Sequence, residues 1–324
     1  MRKINIILLC LITIHLTGCS QSDPISKSAF LLDTIITIQI YDSDDESLLD
    51  GAIDICAYYE SLWSQSIETS EVSILNNANG NTVSLSDETI YLLQTAIEYS
   101  QLTNGMFDIT VKPLSDLWDF TGEDPSVPSQ EEIEEAITLV DYTCIQIEGN
   151  DVTLLNSQAS IELGALAKGY ISDQIKIYLQ DNGVTSAIIN LGGNILTIGQ
   201  NTDKNNFNIA IQVPFEENEM IGYLEINDLS VVTSGIYERY FESNDTIYHH
   251  ILDPYTGYPI DNDLLSVTII CDNSLQADVL STVCLSLGLN QAITLIESLD
   301  NVEAIFIDKD YQITQTNENL LKYS

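Results

Sequence analysis

Ile161-Glu162-Leu163-Gly164-Ala165-Leu166-Ala167-Lys168-Gly169-Tyr170 runs on to Asn182-Gly183, then to Thr185–Asn190 and Leu191-Gly192-Gly193-Asn194. The stretch reads as a strand end, a glycine turn and a helix over Ala165–Asn182 closed by Gly183. A β-branched strand over Thr185–Asn190 and a paired-glycine turn follow. Helix and strand are interspersed here, no internal repeat is found along the chain, and the flanks agree. Ala29–Tyr41 alternates Thr34, Thr37 and Gln39 with isoleucines and is expected as a first strand. Glu46–Trp63 and Ser86–Thr103 carry helical spacing, and Ser129-Gln130-Glu131-Glu132 is a capping box. Cys144–Glu148 and Val152–Leu155 flank a Gly-Asn-Asp turn, strand signals dominate Ile195–Cys271, Ala277–Leu287 and Asn290–Leu299 are helical, and Val302–Ile307 with Tyr311–Thr316 closes as a hairpin. The expected architecture is a single mixed α+β domain.

Ten Lys and Arg stand against 49 Asp and Glu in 324 residues, a net charge of −39. No basic patch exists to neutralise phosphates, which excludes nucleic acid as a partner, and electrostatic docking on anionic lipid is equally disfavoured. A divalent cation is drawn to such a surface. Arg2 and Lys3 precede a mostly apolar Ile4–Leu16, too short to span a bilayer, and Leu16-Thr17-Gly18-Cys19 resembles a bacterial lipobox. The expectation is a lipoprotein signal over 1–18, lipidation at Cys19, a polar tether over 19–28 and one domain over 29–324. A plain signal peptide with an incidental Cys is the alternative. Cys56, Cys144, Cys271 and Cys284 each lie in apolar runs without a C-x-x-C pair, as expected for free buried thiols.

Four segments concentrate glycines, small residues and the scarce cations. In the first, a helix start offers unpaired N–H groups to an anion, with Lys168 expected in the first turn; a tight turn with a surface lysine fits as well. Leu191-Gly192-Gly193-Asn194 permits close backbone approach, or is an ordinary turn. The third runs Thr233-Ser234-Gly235-Ile236-Tyr237-Glu238-Arg239-Tyr240, then Tyr248-His249-His250-Ile251-Leu252-Asp253-Pro254-Tyr255-Thr256-Gly257. Adjacent histidines on a strand face opposite sides, so one at most enters a given pocket. The fourth is Ala277-Asp278-Val279-Leu280-Ser281-Thr282. Asp278 and Thr282 are stacked one helical turn apart, a pairing that suits a hard cation such as Mg²⁺ or a dipole-favoured Asp beside a back-bonded Thr.

Together and in this order these segments resemble the ApbE family of FAD:protein FMN transferases. Asn104-Gly105-Met106-Phe107-Asp108, Leu32-Asp33-Thr34 and Glu71-Val72-Ser73-Ile74-Leu75-Asn76 resemble further family segments. The resemblance implies the family's T-fold-like domain, FAD as substrate and Mg²⁺ as metal cofactor. FMN would pass from FAD through a phosphoester bond to a Thr or Ser of a target protein, with release of AMP. By motif it assigns Asp278, Thr282 and the Ala165 carbonyl to the metal. It assigns Leu32, Ser66, Met106, Phe107, Asp108, Glu162, Lys168, His250, Ile251 and Leu252 to FAD. Ser66 replaces an aromatic often found there, and Glu162 stands where the family usually has Asp. His250 and Asp278 are the expected catalytic pair, with His250 a base titrating near about 6.5 if unperturbed. The implied partner is an extracytoplasmic acceptor protein with an S/D-G-A-T/S type segment, such as a subunit of a membrane redox complex. This chain has no such segment. The implied location is the cell envelope, on a membrane face outside the cytoplasm. A metal-dependent FAD diphosphatase and a non-catalytic flavin-binding lipoprotein are the alternatives.

Overall fold

The computed structural model describes residues 23–323; the expected signal segment 1–18 and Cys19 lie outside them. The first half of the chain carries β1 (Ile25–Leu31), β2 (Thr34–Ile40), α1 (Glu46–Trp63), α2 (Glu71–Asn76), β3 (Val83–Ser84), α3 (Asp87–Leu102), α4 (Lys112–Trp118), α5 (Gln130–Ile137), β4 (Ile145–Glu148), β5 (Asp151–Leu154) and α6 (Gly164–Asp181). Then follow β6 (Ala187–Leu191), β7 (Asn194–Ile198), β8 (Phe207–Val213), β9 (Glu216–Ile226), β10 (Ser230–Gly235), β11 (Tyr240–Ser243) and β12 (Thr246–His249). The chain ends in β13 (Leu264–Cys271), α7 (Ser274–Leu287), α8 (Leu289–Glu297), β14 (Glu303–Asp308), β15 (Ile313–Gln315) and β16 (Leu321–Lys322).

An eight-stranded antiparallel sheet in the order β1-β2-β6-β7-β10-β13-β14-β15 is the spine. One face is covered by α1, α6 and α7, the other by the small sheet β16-β9-β8. Being covered on both sides, β13 is buried along its whole length. The mixed α+β expectation holds.

Several local expectations shift. The first strand over Ala29–Tyr41 is instead a hairpin, β1 and β2, in register Phe30↔Ile35 and Leu31↔Thr34. Its turn is Leu32-Asp33 with φ of 57° and 55°, the doubly left-handed conformation of a type I′ turn. No Asn-Gly advertised that turn. The Leu32 amide donates to Glu60 Oε1 at 2.7 Å from the last turn of α1, which helps hold an apolar residue in a conformation it rarely adopts. β1 also begins at Ile25, inside the expected tether, so the folded domain starts earlier than residue 29. Ile161–Leu163 is irregular rather than strand, which puts Lys168 in the second turn of α6. The capping box at Ser129 and Glu132 is present, and Cys56, Cys144, Cys271 and Cys284 are free and buried, as expected.

Where α6 crosses α7, the helices touch backbone to backbone at Gly169. A Cβ built there would stand 2.3 Å from the Ser274 carbonyl oxygen, 2.7 Å from Asp278 Cβ and 2.7 Å from Leu275 Cα. None of these atoms can swing aside, so the crossing requires glycine. Gly169→Ala should therefore destabilise the fold by about 1–3 kcal/mol, as overpacking does. Helix propensity alone predicts about 1 kcal/mol of gain. Urea unfolding of the two proteins separates the signs, and a variant at least as stable as wild type would refute the close crossing.

Candidate active site

The Gly169 amide donates to Asp278 Oδ2 at 2.7 Å, across the helix crossing. In a regular helix that N–H belongs to the carbonyl four residues earlier, here Ala165. The Asp278 carboxylate therefore competes with the Ala165 carbonyl for that one proton. One turn beyond Asp278, Thr282 Oγ1 stands 3.3 Å from Ser234 Oγ on β10, and Ser234 also pairs with Ser281 at 2.7 Å. Asp278 is almost wholly buried. Burial raises its pKa; Lys168, the Gly169 amide and Asn194 pull it back.

Lys168 is half-buried on α6, and among the described residues it makes no ion pair. Its charge reaches Asp278, Glu238 and His250. Glu238 is raised by desolvation and lowered by Lys168 and Arg239, with Asp278 opposing. Five ionisable residues from α6, α7 and the segments flanking β11 and β12 thus share one electrostatic neighbourhood.

The histidines separate as strand alternation requires. His249 closes β12, buried, with Nε2 on the Ile260 carbonyl at 3.1 Å. His250 lies just past the strand, half-buried, its amide donating to the Arg239 carbonyl at 3.0 Å and Nδ1 at 3.2 Å from the same oxygen. An Nδ1–H donating there leaves the Nε2 lone pair as the basic site. Burial first, then the charge of Arg239, pushes the His250 pKa down to about 3, below the value near about 6.5 of an unperturbed imidazole. An aromatic box holds this segment: Tyr248 and Phe241 pack on Trp118, whose Nε1 donates to the Gly257 carbonyl at 2.8 Å.

Among the remaining residues assigned to FAD, Glu162 lies just before α6. Glu162, raised by burial, accepts a long 3.5 Å bond from Gln65 Nε2, and its amide donates to the Ile109 carbonyl at 2.9 Å. Ser66, beside Gln65, is exposed with Oγ 2.9 Å from Ser64 Oγ, and Leu32 sits in its turn against Glu60. Met106 is half-buried and Phe107 buried, its amide on Thr103 Oγ1 at 3.0 Å. The Asp108 carboxylate accepts three bonds within the protein. Its Oδ1 accepts from the Thr110 amide at 2.8 Å and the Thr110 hydroxyl at 2.6 Å, and its Oδ2 from the Tyr142 amide at 2.8 Å. Those bonds make it a brace for the loop. Ile251 and Leu252 also point their side chains into two hydrophobic clusters. Sequence reasoning did not use Ser234 or Glu238 as site residues; both stood in the quoted Ser-Gly and Tyr-Glu-Arg run, but only the fold brings them to Thr282 and Asp278.

The described residues contain no cluster of three or more His, Cys, Asp and Glu able to hold a metal. A soft-metal site is therefore unsupported. The donors expected for the metal, the Asp278 carboxylate, the Ala165 carbonyl and the Thr282 hydroxyl, are all oxygens, the ligand type that suits Mg²⁺. The buried histidines bear on stability. His249, pushed down to about 4 by burial, stays neutral on acidification while the unfolded chain, near 6.5, takes up a proton. Its contribution is present above about 6.5 and lost as pH falls below it, about 2 kcal/mol by pH ~5. Urea unfolding at pH ~7.5 and ~5 should therefore show a smaller acid loss for His249→Gln than for wild type, and equal losses would contradict the assignment.

A family model described as "ApbE family" matches residues 32–306. An "FAD:protein FMN transferase" of Klebsiella pneumoniae is 35% identical over 303 residues, covering 92% of this chain and 94% of that protein. One of Treponema pallidum is 28% identical over 89% of this chain and 85% of that protein. The crystal structure of the ApbE protein from Thermotoga maritima superposes with a TM-score of 0.83 at 30% identity, covering 91% of this chain and 97% of that one. Pseudomonas stutzeri flavinyl transferase ApbE, apo form, gives 0.82 at 27% identity, covering 95% and 99%. With the family model and the Klebsiella relative spanning nearly the whole domain, this chain belongs to the ApbE family.

Proposed function

We propose that this protein is an FAD:protein FMN transferase that joins FMN through a phosphoester bond to a Ser or Thr hydroxyl of an acceptor protein and releases AMP. The observation that carries the reading is the grouping of Asp278, Lys168, Glu238, Arg239 and His250 about the α6–α7 crossing, where the Gly169 amide holds the Asp278 carboxylate. Lys168 and Arg239 bring positive charge to a diphosphate that a protein of net charge −39 otherwise repels. Mg²⁺ held by Asp278, the Ala165 carbonyl and Thr282 supplies, when bound, neutralisation of the diphosphate and of the leaving AMP.

His250 acts on the acceptor. Its Nε2 takes the hydroxyl proton as the oxygen forms its bond to the FMN-side phosphorus. The bond from that phosphorus to the bridging oxygen breaks, and the bridging oxygen departs with AMP. Negative charge on bound FAD opposes the effect of Arg239 and Lys168 on His250, so the base strengthens when substrate is present. In the free enzyme it stays neutral down to about pH 3. The acceptor is an extracytoplasmic protein with an S/D-G-A-T/S type segment, and the enzyme works at the cell envelope, anchored by lipid on Cys19. Among the described residues no helix is long and apolar enough to cross a membrane.

Purified protein given FAD and Mg²⁺ should release AMP in step with fluorescent labelling of a supplied acceptor. Free FMN and AMP formed regardless of acceptor would mean a diphosphatase, and binding without turnover a flavin carrier. Asp278→Ala should abolish transfer. His250→Ala should slow it roughly 10²–10⁴-fold, whereas His249→Ala should cost stability but little rate. The pH profile of kcat/KM should show no inflection near about 6.5 that disappears in His250→Gln; such an inflection would contradict the depressed imidazole.

A further inference from the structure

The Asp278–Gly169 bond has a counterpart pointing the other way. Asp173, one turn after Gly169 on α6, accepts from the Ser274 amide at 3.0 Å and the Leu275 amide at 2.9 Å, the first two amides of α7. Asp278 lies one turn into α7 and reaches back to Gly169. Each helix thus presents a carboxylate to the other's backbone, one turn apart along an antiparallel crossing.

Asp173 is not an ordinary cap. α7 already has one of its own, Asn273, whose Oδ1 accepts from the Gln276 amide at 2.7 Å. The start of α7 is also held from the sheet. Ser274 Oγ donates to Asn194 Oδ1 at 3.0 Å, Ser230 Oγ donates to Ser274 Oγ at 2.9 Å, and Ser172 Oγ reaches the same Asn194 oxygen at 3.2 Å. Asn194, the last residue of the Leu-Gly-Gly-Asn turn, is buried. A stiff helix transmits any shift of its first turn to the next, where Asp278 sits.

We infer that Asp173 is a positioning residue for the transfer reaction: it fixes the first turn of α7 against α6 and so sets the Asp278 carboxylate on the Gly169 amide. The inference rests on the role given to Asp278 above. Asp173→Asn keeps the size of the side chain but leaves one of the two α7 amides facing an NH₂ group, so the helix start must move.

Lys168-Gly169 is the one Lys-Gly pair in the chain, so labelling with [¹³C′]Lys and [¹⁵N]Gly isolates the Gly169 amide in an NMR spectrum. Asp278→Asn calibrates the shift that follows loss of the carboxylate bond. Asp173→Asn should move the resonance in the same direction and lower kcat by about tenfold or more, with the KM for FAD changed less than about threefold. Ser274→Ala, which removes only the hydroxyl links, should give a smaller shift of the same sign and supports the inference without Asp173 being touched. Asn273→Ala, a loss of α7's own cap, should leave both the resonance and the rate near wild type. An unmoved Gly169 resonance in Asp173→Asn, or equal effects from Asn273→Ala, would overturn the positioning role. Should wild-type protein transfer no FMN, the reaction assigned above falls, and the Gly169 resonance still decides whether Asp173 holds Asp278.

Discussion

The hydrogen bond from the Gly169 amide to Asp278 is the contact on which the rest of the site depends. It forms only because residue 169 has no side chain, so that α6 and α7 approach to backbone contact. It offsets part of the cost of burying a carboxylate, and it aims that carboxylate. The eight-stranded sheet serves the same end: Ser234 on β10 and Asn194 on β7 meet α7 from below, so Thr282 and Asp278 keep a common orientation.

The charge balance follows from the same arrangement. In a chain with 49 acidic and ten basic residues, two cations gather at the α6–α7 crossing. Lys168 enters from α6 and Arg239 from the segment before β11, and both act on Glu238 and His250. Burial and the Arg239 charge keep the His250 imidazole neutral in the absence of a ligand.

Much of the site was legible in the sequence, for identifiable reasons. Helical spacing put Asp278 and Thr282 on one face, alternation separated His249 from His250, and glycine at 169 sat beside one of the few lysines. Other parts were not legible. The turn at Leu32-Asp33 depends on a bond from Glu60, a residue far along the chain, and its local sequence lacks the usual turn residues. The bonds by which Asp108 braces Thr110 and Tyr142 are likewise nothing that spacing reveals. Asp173 looked like any helix-surface acid until the crossing placed two amides of α7 against it.

The most direct test is a crystal structure of the protein with FAD and Mn²⁺ in place of Mg²⁺, with the metal located by anomalous scattering. The account predicts one strong peak within about 2.0–2.4 Å of the Asp278 carboxylate, the Ala165 carbonyl and the Thr282 hydroxyl, in contact with the FAD diphosphate. A diphosphate bound away from the α6–α7 crossing, or a metal peak elsewhere with the Ala165 carbonyl still bonded within its helix, would contradict it.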